Sequence, residues 1–274
     1  MPWAEHDAAA YVAVPTAASD KYSRGVLGVV TGSSAYPGAA VLGVEAAART
    51  GLGMIRYLGD ATDQVLARRP EVISAPGRVQ AWLIGSGTDS QDLGLLGALF
   101  SDALASPEPV VADAGALESV ARAPRRGVIV TPHLRELARM LAVTGTTVDV
   151  AEIAAAPERW AIRAANQLGV TVLLKGATTW IAEPDGAHLS VAIAPPWTAT
   201  AGAGDVLGGI LGALLATHSS LASEPGMPAR LAATSAVIHG LAASLASRGG
   251  PIVALDIAER VPDAVRRLLG VDRG

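Results

Sequence analysis

The sequence predicts a single-domain α/β protein: a mainly parallel central sheet layered with helices on both faces. Three observations carry that expectation. Short apolar runs, many of them β-branched, alternate with longer helical stretches along nearly the whole chain. No internal repeat or low-complexity linker divides the 274 residues, and one α/β domain accommodates that length. Half of the residues are hydrophobic but only 4% are aromatic, and alanine makes up about a fifth of the chain. Small side chains in such numbers let the layers approach closely.

Taken in order, residues 1–24 are Ala-rich and read as an irregular surface arm ahead of a domain of residues 25–274. Val26 to Thr31 is an apolar run ending in Gly32-Ser33-Ser34, the pattern of a buried strand and its loop. Ala39 to Thr50 has Val41, Val44 and Ala48 at helical spacing, and Gly51 supplies the stop. Met54 to Leu58, Val72 to Ser74 and Ala81 to Ile84 are strand candidates. A helix is expected from Leu93 to Leu104, and a strand from Pro109 to Ala112 leads into Asp113. Val128 to Val130 is a strand, after which Thr131-Pro132 has the composition of an N-cap and first turn opening a helix from His133 to Leu141. Glu152 to Leu168 is helical with a break near Pro157, and Val170 to Leu174 is a strand. Thr178 to Ala182 and His188 to Ile193 flank Asp185-Gly186, a hairpin signature. Helices at Asp205 to Ala216, Pro228 to Ser247 and Ile257 to Leu268 complete the chain.

Charge and composition remove several classes of function. With 21 Lys and Arg against 25 Asp and Glu, the net charge is −4, and no basic run offers a footprint for nucleic acid. Cysteine is absent, which excludes disulfides, thiolate nucleophiles and Cys-based metal sites and suits a reducing cytoplasm. Met1 to Asp20 lacks the basic-then-apolar pattern of a signal peptide. Val206 to Ser223 is uncharged, but Gly208, Gly209, Gly212 and the polar end from Thr217 to Ser220 point to a buried helix and loop. A soluble cytoplasmic protein without membrane or nucleic-acid partners is expected.

In open α/β sheets, ligands gather at the carboxyl ends of the strands. The most informative loop is Thr200-Ala201-Gly202-Ala203-Gly204-Asp205, which runs straight into an apolar helix. Glycines before a helix allow backbone N–H groups to surround an anion, with the helix dipole adding to the attraction. Asp205 then reads either as a helix cap or as a base beside the bound group, held ionised by the helix start. The loop lacks the Lys-Ser/Thr of a P-loop, and no G-x-G-x-x-G follows a strand in the dinucleotide-binding manner. Lys175-Gly176-Ala177-Thr178-Thr179 ends a strand with a cation and hydroxyls, suited to a nucleotide or simply to a turn. Asp113 reads equally as a cleft carboxylate and as a turn residue, and Glu136 as a residue favouring a helix start.

Four segments occur in a set order: Gly28 to Ala40 (GVVTGSSAYPGAA), Thr131 to Glu136 (TPHLRE), Leu174 to Thr179 (LKGATT) and Ala199 to Leu207 (ATAGAGDVL). Together with Glu45 to Gly53 and Ile84-Gly85-Ser86-Gly87, they resemble the ADP-dependent NAD(P)H-hydrate dehydratases, a branch of the ribokinase-like superfamily. The resemblance implies a ribokinase-like layered fold and repair of hydrated NADH or NADPH, with ADP as co-substrate becoming AMP and phosphate. It implies Asp205 as the catalytic base and an anion hole of Gly202, Ala203 and Gly204. By the same resemblance, the adenine nucleotide lies along Lys175, Gly176, Ala177, Thr178, Thr179 and Gly204, and the hydrated ring lies between Ala39, Gly87, His133 and Asp205. His133, alone a loop-bonding residue, becomes a ligand contact without a catalytic role. Mg²⁺ would accompany the nucleotide without an all-protein cage, and a homotetramer is implied. The chain departs from the family pattern at Leu134-Arg135 (usually Pro-Gly), Gly115 (usually Asp), Pro195 to Thr198, Ala201 and Ala203. Two other readings share these residues: an ATP-dependent small-molecule kinase resembling hydroxyethylthiazole kinases, and a nucleotide-binding regulator without turnover.

Overall fold

The apolar runs become eight strands: β1 (Val26–Val30), β2 (Met54–Tyr57), β3 (Ala81–Ile84), β4 (Val110–Ala112), β5 (Val128–Val130), β6 (Thr171–Leu174), β7 (Thr179–Ala182) and β8 (His188–Val191). In this computed structural model, which describes residues 1–89 and 94–271, they form one sheet in the order β2-β1-β3-β4-β5-β6-β7-β8. Every pairing from β2 to β6 is parallel. The β7–β8 hairpin closes one edge antiparallel, turning at Gly186, whose φ of 91° suits glycine.

Alternate strand residues point to opposite faces, and both faces are covered, as parallel sheets require. Leu27, Val29, Leu83, Val111, Ile129 and Leu173 face helices α2 (Pro37–Thr50), α9 (Ala203–Thr217), α10 (Met227–Ser247) and α11 (Ala254–Leu268). Val30, Ile84, Val110, Ala112, Val128 and Val172 face α4 (Leu96–Ala105), α5 (Leu117–Arg122), α6 (Leu134–Val143) and α8 (Pro157–Leu168). The layered architecture is thus as expected.

The abundance of small residues has a definite use. Helices α2 and α9 meet backbone to backbone, and a methyl group on Gly209 would overlap the Gly43 carbonyl. Gly212 lies against Leu27 and Leu83 in the same seam, where an added Cβ would come within 3.1 Å of Leu27. Side chains at these positions would push α9 off the sheet and carry its N-terminus with it. Helix α10 has the length and apolarity to cross a membrane, but 78% of its most apolar window is buried inside the domain, where it serves as a core helix.

Several elements differ from the sequence reading. Val72 to Ser74 forms no strand: Ile73 makes a single bridge to Arg56. The helix expected from Leu93 is α4, which starts at Leu96; Leu93 itself lies outside the described residues. The break expected near Pro157 is present, Pro157 being the first residue of α8, but the helix before it, α7 (Val150–Ala155), starts ahead of Glu152. Helix α9 begins at Ala203, before Asp205. Residues 1–24 are more ordered than an irregular arm. The Trp3 N–H donates to the Ser190 carbonyl at 2.8 Å, α1 (Glu5–Ala9) follows, and Ala8 is fully buried in the core. A short α3 (Thr62–Arg68) completes the helices.

A buried ion cluster fixes α2 to its surroundings. Glu45 is fully buried and accepts hydrogen bonds from Arg49 Nε at 2.6 Å and Arg69 Nη2 at 2.7 Å. Burial alone would raise its carboxyl pKa, but the two guanidinium groups prevail and hold it at about 2, below its ordinary 4.5. Glu45→Ala removes the buried carboxylate that partly exposed Arg49 and Arg69 share and is expected to destabilise the protein by about 1–3 kcal/mol in denaturant melts at neutral pH. Because the folded pKa is depressed, this contribution is present above pH 4.5 and fades as pH falls toward 2. The stability gap between wild type and Glu45→Gln should therefore close across that window.

Candidate active site

Loops leaving the carboxyl ends of β1, β3, β4, β5 and β6 lie side by side because those strands are parallel neighbours. The backbone ladder extends a residue or two past the strands. The Gly32 N–H donates to the Ser86 carbonyl (2.7 Å), that of Asp113 to Ile84 (3.0 Å), that of Thr131 to Ala112 (3.1 Å) and that of Lys175 to Pro132 (2.9 Å). Ser86, Asp113, Thr131 and Lys175 thus stand on fixed backbone. Buried Asp113 accepts hydrogen bonds from Thr131 Oγ1 at 2.8 Å and Ser86 Oγ at 3.2 Å. It also accepts one from Lys175 Nζ at 2.8 Å, and Glu136 Oε2 lies 3.8 Å from the same ammonium. Burial opposes the charge on Lys175, but Asp113, Glu136 and Asp205 outweigh it, so its pKa is raised and it stays an ammonium.

Helix α9 brings its N-terminus to this cluster. Gly202, at the N-cap, has φ of 88°, a left-handed conformation. A Cβ there would also come within 2.5 Å of Leu42. A Cβ on Gly204 would stand 3.4 Å from Lys175 Nζ, so the helix start lies beside the ammonium. Asp205 is the third residue of the helix and accepts no hydrogen bond from the described residues. It is therefore not a cap. The expectation of a permanently ionised Asp205 also needs correction. Burial, with Asp113 adding in the same direction and Lys175 opposing, pushes its pKa up to about 7.

Gly87 and Ala39 touch: an added Cβ on Gly87 would strike the Ala39 methyl. His133, rather than Thr131, caps α6, because Thr131 is turned inward to Asp113. His133 Nδ1 accepts from the Glu136 N–H at 3.2 Å, and the His133 N–H donates to Glu136 Oε2 at 2.7 Å. Its side chain remains half exposed. Gly176 and Ala177 are exposed, and Thr178 and Thr179 are partly buried where the chain enters β7. Gly115, where the family pattern has a carboxylate, packs so tightly against Thr88 that an added Cβ would lie 2.8 Å from its carbonyl oxygen. A cavity of about 250 Å³ lined by Tyr36, Thr88, Glu136 and Arg139 opens beside these residues. No three His, Cys, Asp or Glu side chains converge as a metal cage among the described residues.

Asp113 is the residue the sequence underrated. Its one signal is its position directly after the Val110-Val111-Ala112 run, and its partners Thr131 and Lys175 are distant in the chain. Glu136 likewise reads as a helix former until Lys175 is seen beside it.

The fold is ribokinase-like: it superposes with a TM-score of 0.80 on a ribokinase-like superfamily protein of Enterococcus faecalis, at 20% identity over 97% of this chain and 95% of that one. The chain belongs to the NAD(P)H-hydrate dehydratase family, whose sequence profile matches residues 27–262. It is 40% identical to the bifunctional NAD(P)H-hydrate repair enzyme Nnr of Mycobacterium leprae, over 96% of this chain and 54% of that protein. The chain thus spans about half the length of the first curated relatives it matches. It is 34% identical to the ADP-dependent (S)-NAD(P)H-hydrate dehydratase of Neisseria meningitidis, over 91% of this chain and 86% of that one. Among solved structures, the ADP/ATP-dependent NAD(P)H-hydrate dehydratase of Bacillus subtilis, co-crystallised with ATP and Mg²⁺, superposes with a TM-score of 0.85 at 27% identity. That likeness covers 97% of this chain and 98% of that one.

A raised carboxyl pKa stabilises the fold below its unfolded value and loses that contribution as pH rises through about 7. Asp205→Asn should therefore melt higher than wild type at pH 8, at about 2–4 °C per kcal/mol recovered, with the gap closing toward pH 4. Asp113→Asn removes one of the groups that raise Asp205. Carbon-13 NMR titration of the Asp205 carboxyl in that variant should move its midpoint to lower pH.

Proposed function

We propose that this protein dehydrates hydrated NADH or NADPH back to the working cofactor, converting ADP to AMP and phosphate. The single observation that carries this reading is Asp205. Its carboxyl accepts no hydrogen bond from the described residues, burial pushes its pKa up to about 7, and it stands third in a glycine-flanked helix near Lys175. Family membership and the 34% identity to a dehydratase of similar length support it.

In this reading the hydrated ring lies between Ala39, Gly87, His133 and Asp205, and ADP lies along Lys175 to Thr179 and Gly204. Asp205 accepts the proton of the ring hydroxyl as that oxygen attacks the terminal phosphorus of ADP, and AMP leaves. A base with a pKa near the working pH suits this transfer. The N–H groups of Gly202, Ala203 and Gly204 form the anion hole for the transferring group, and Lys175 adds positive charge. The carbon–oxygen bond then breaks and phosphate departs with its electron pair, the adjacent ring carbon gives up a proton to water as the double bond forms, and the reduced nicotinamide is regenerated. Asp113 and Glu136 carry carboxylate oxygens of the kind Mg²⁺ takes. Bound there, Mg²⁺ would neutralise phosphate charge. A cytoplasmic homotetramer belongs to the same reading, on the family resemblance.

The test is incubation with hydrated NADH and ADP. NADH absorbance should recover with equimolar AMP and phosphate, and Asp205→Asn should slow this by about 100-fold or more while ADP affinity changes little. ATP consumption with a lasting phosphorylated product would indicate a kinase instead. Nucleotide binding without turnover in wild type would indicate a regulator.

A further inference from the structure

In the site described above, the phosphates of the nucleotide have an anion loop and a lysine, but its base has no partner. Of the five tryptophans, Trp197 alone is exposed, at 48%. It lies in the Pro195 to Thr198 segment that departs from the family pattern. An exposed indole forgoes part of the free energy that its burial would contribute. Yet this ring is fixed, because its Nε1 donates to the Gly249 carbonyl at 3.2 Å. The backbone beneath it is fixed too. Pro196 opens a single 3₁₀ turn, Pro196–Thr198, and two successive prolines restrict φ. The Thr198 N–H and Oγ1 both donate to the Pro195 carbonyl, at 2.9 and 2.6 Å.

The sheet register puts this segment at the nucleotide edge. Leu174, Trp180 and Ser190 form one cross-strand row. Strand β8 therefore ends at the same carboxyl edge at which β6 gives way to Lys175. The chain that leaves β8 at Val191 runs through Trp197 into the anion loop. Trp197 thus lies on the connection between the two segments assigned to the nucleotide, Lys175 to Thr179 and Gly202 to Gly204. The stretch between α10 and α11 ties the indole to the anion loop. Its Gly249 carbonyl holds the indole, and Ala254, the first residue of α11, packs against Gly202. An added Cβ on Gly202 would come within 3.0 Å of the Ala254 methyl. Val253, beside Ala254, is 58% exposed and adds apolar surface to the same stretch.

We propose that the Trp197 indole is the platform on which the base of the nucleotide stacks, while the phosphates reach the helix start at Gly202 to Gly204. A hydrogen bond from the edge of the ring sets its orientation without covering its faces, and a planar base can then lie against one of them. This assignment rests on reading Lys175 to Thr179 and Gly202 to Gly204 as the nucleotide site, and it names the group that holds the base there. Trp197 binds the nucleotide and takes no part in the phosphoryl transfer. It differs from a packing role because it concerns the base and leaves the phosphates alone.

The experiment measures ADP binding by calorimetry, and inorganic pyrophosphate binding by displacement of ADP, with Mg²⁺ present, in wild type, Trp197→Ala and Trp197→Phe. Trp197→Ala should lose about tenfold or more in ADP affinity. Its pyrophosphate affinity should change by about twofold or less, since pyrophosphate has no base. Trp197→Phe, which keeps an aromatic face, should recover most of the loss. ADP should also quench part of the tryptophan emission of wild type, and the quench should vanish in Trp197→Phe although ADP still binds. If Trp197→Ala melts early, the Trp197→Phe quench decides. Unchanged ADP affinity in Trp197→Ala, an equal loss for pyrophosphate, or a quench that persists in Trp197→Phe would overturn the proposal alone. A wild type that binds no ADP would instead remove the nucleotide reading on which it rests.

Discussion

The close contact of α2 with α9 is the constraint on which the site depends. With glycine at 43 and 209, the two helices touch through their backbones. That contact sets where both N-termini meet the carboxyl edge of the sheet. Ala39 on one helix and Gly202 to Asp205 on the other are thereby held over the loops that follow β1 and β3. The Glu45 cluster anchors the far side of α2 to Arg69, so the helix is fixed both toward its partner and away from it. The plentiful small residues of the chain are thus part of how the site is built.

Electrostatics at the edge follows from the same crowding. Asp113, Glu136 and Asp205 surround one ammonium, that of Lys175. Three carboxyls cannot all be fully satisfied by one cation in a buried setting. Asp113 takes the closest contact and two hydroxyl donors besides, and Glu136 is shared with the α6 cap. Asp205 is left without a hydrogen bond from the described residues and with a raised pKa. This division of roles, one carboxylate fixed and another poised, suits a structural partner beside a base.

Much of the fold was legible in the sequence because its signals are local. The β-branched run Thr171 to Leu174, the Asp185-Gly186 turn and the Gly51 stop each specify their own conformation. Where the reading failed, a distant partner had overridden a local preference. Thr131 has the composition of a cap, yet Asp113 recruits its hydroxyl and His133 caps α6 in its place. Asp205 at a helix start suggests an ionised carboxylate, yet its state is set by burial and by Asp113, far away in the chain. The glycine-flanked loop and Lys175 were readable as a pair of segments, whereas Asp113 between them needed the sheet order to bring it there.

The central claim is that Asp205 starts a phosphoryl transfer from ADP onto the hydrated cofactor, followed by loss of phosphate. It is tested most directly by rapid-quench single turnover with ADP labelled in its terminal phosphate. The account predicts that label appears first on the nicotinamide cofactor and then as free phosphate, in step with NADH, with neither phase in Asp205→Asn. Label passing straight to free phosphate, with no cofactor-bound species and no gain of NADH, would contradict it.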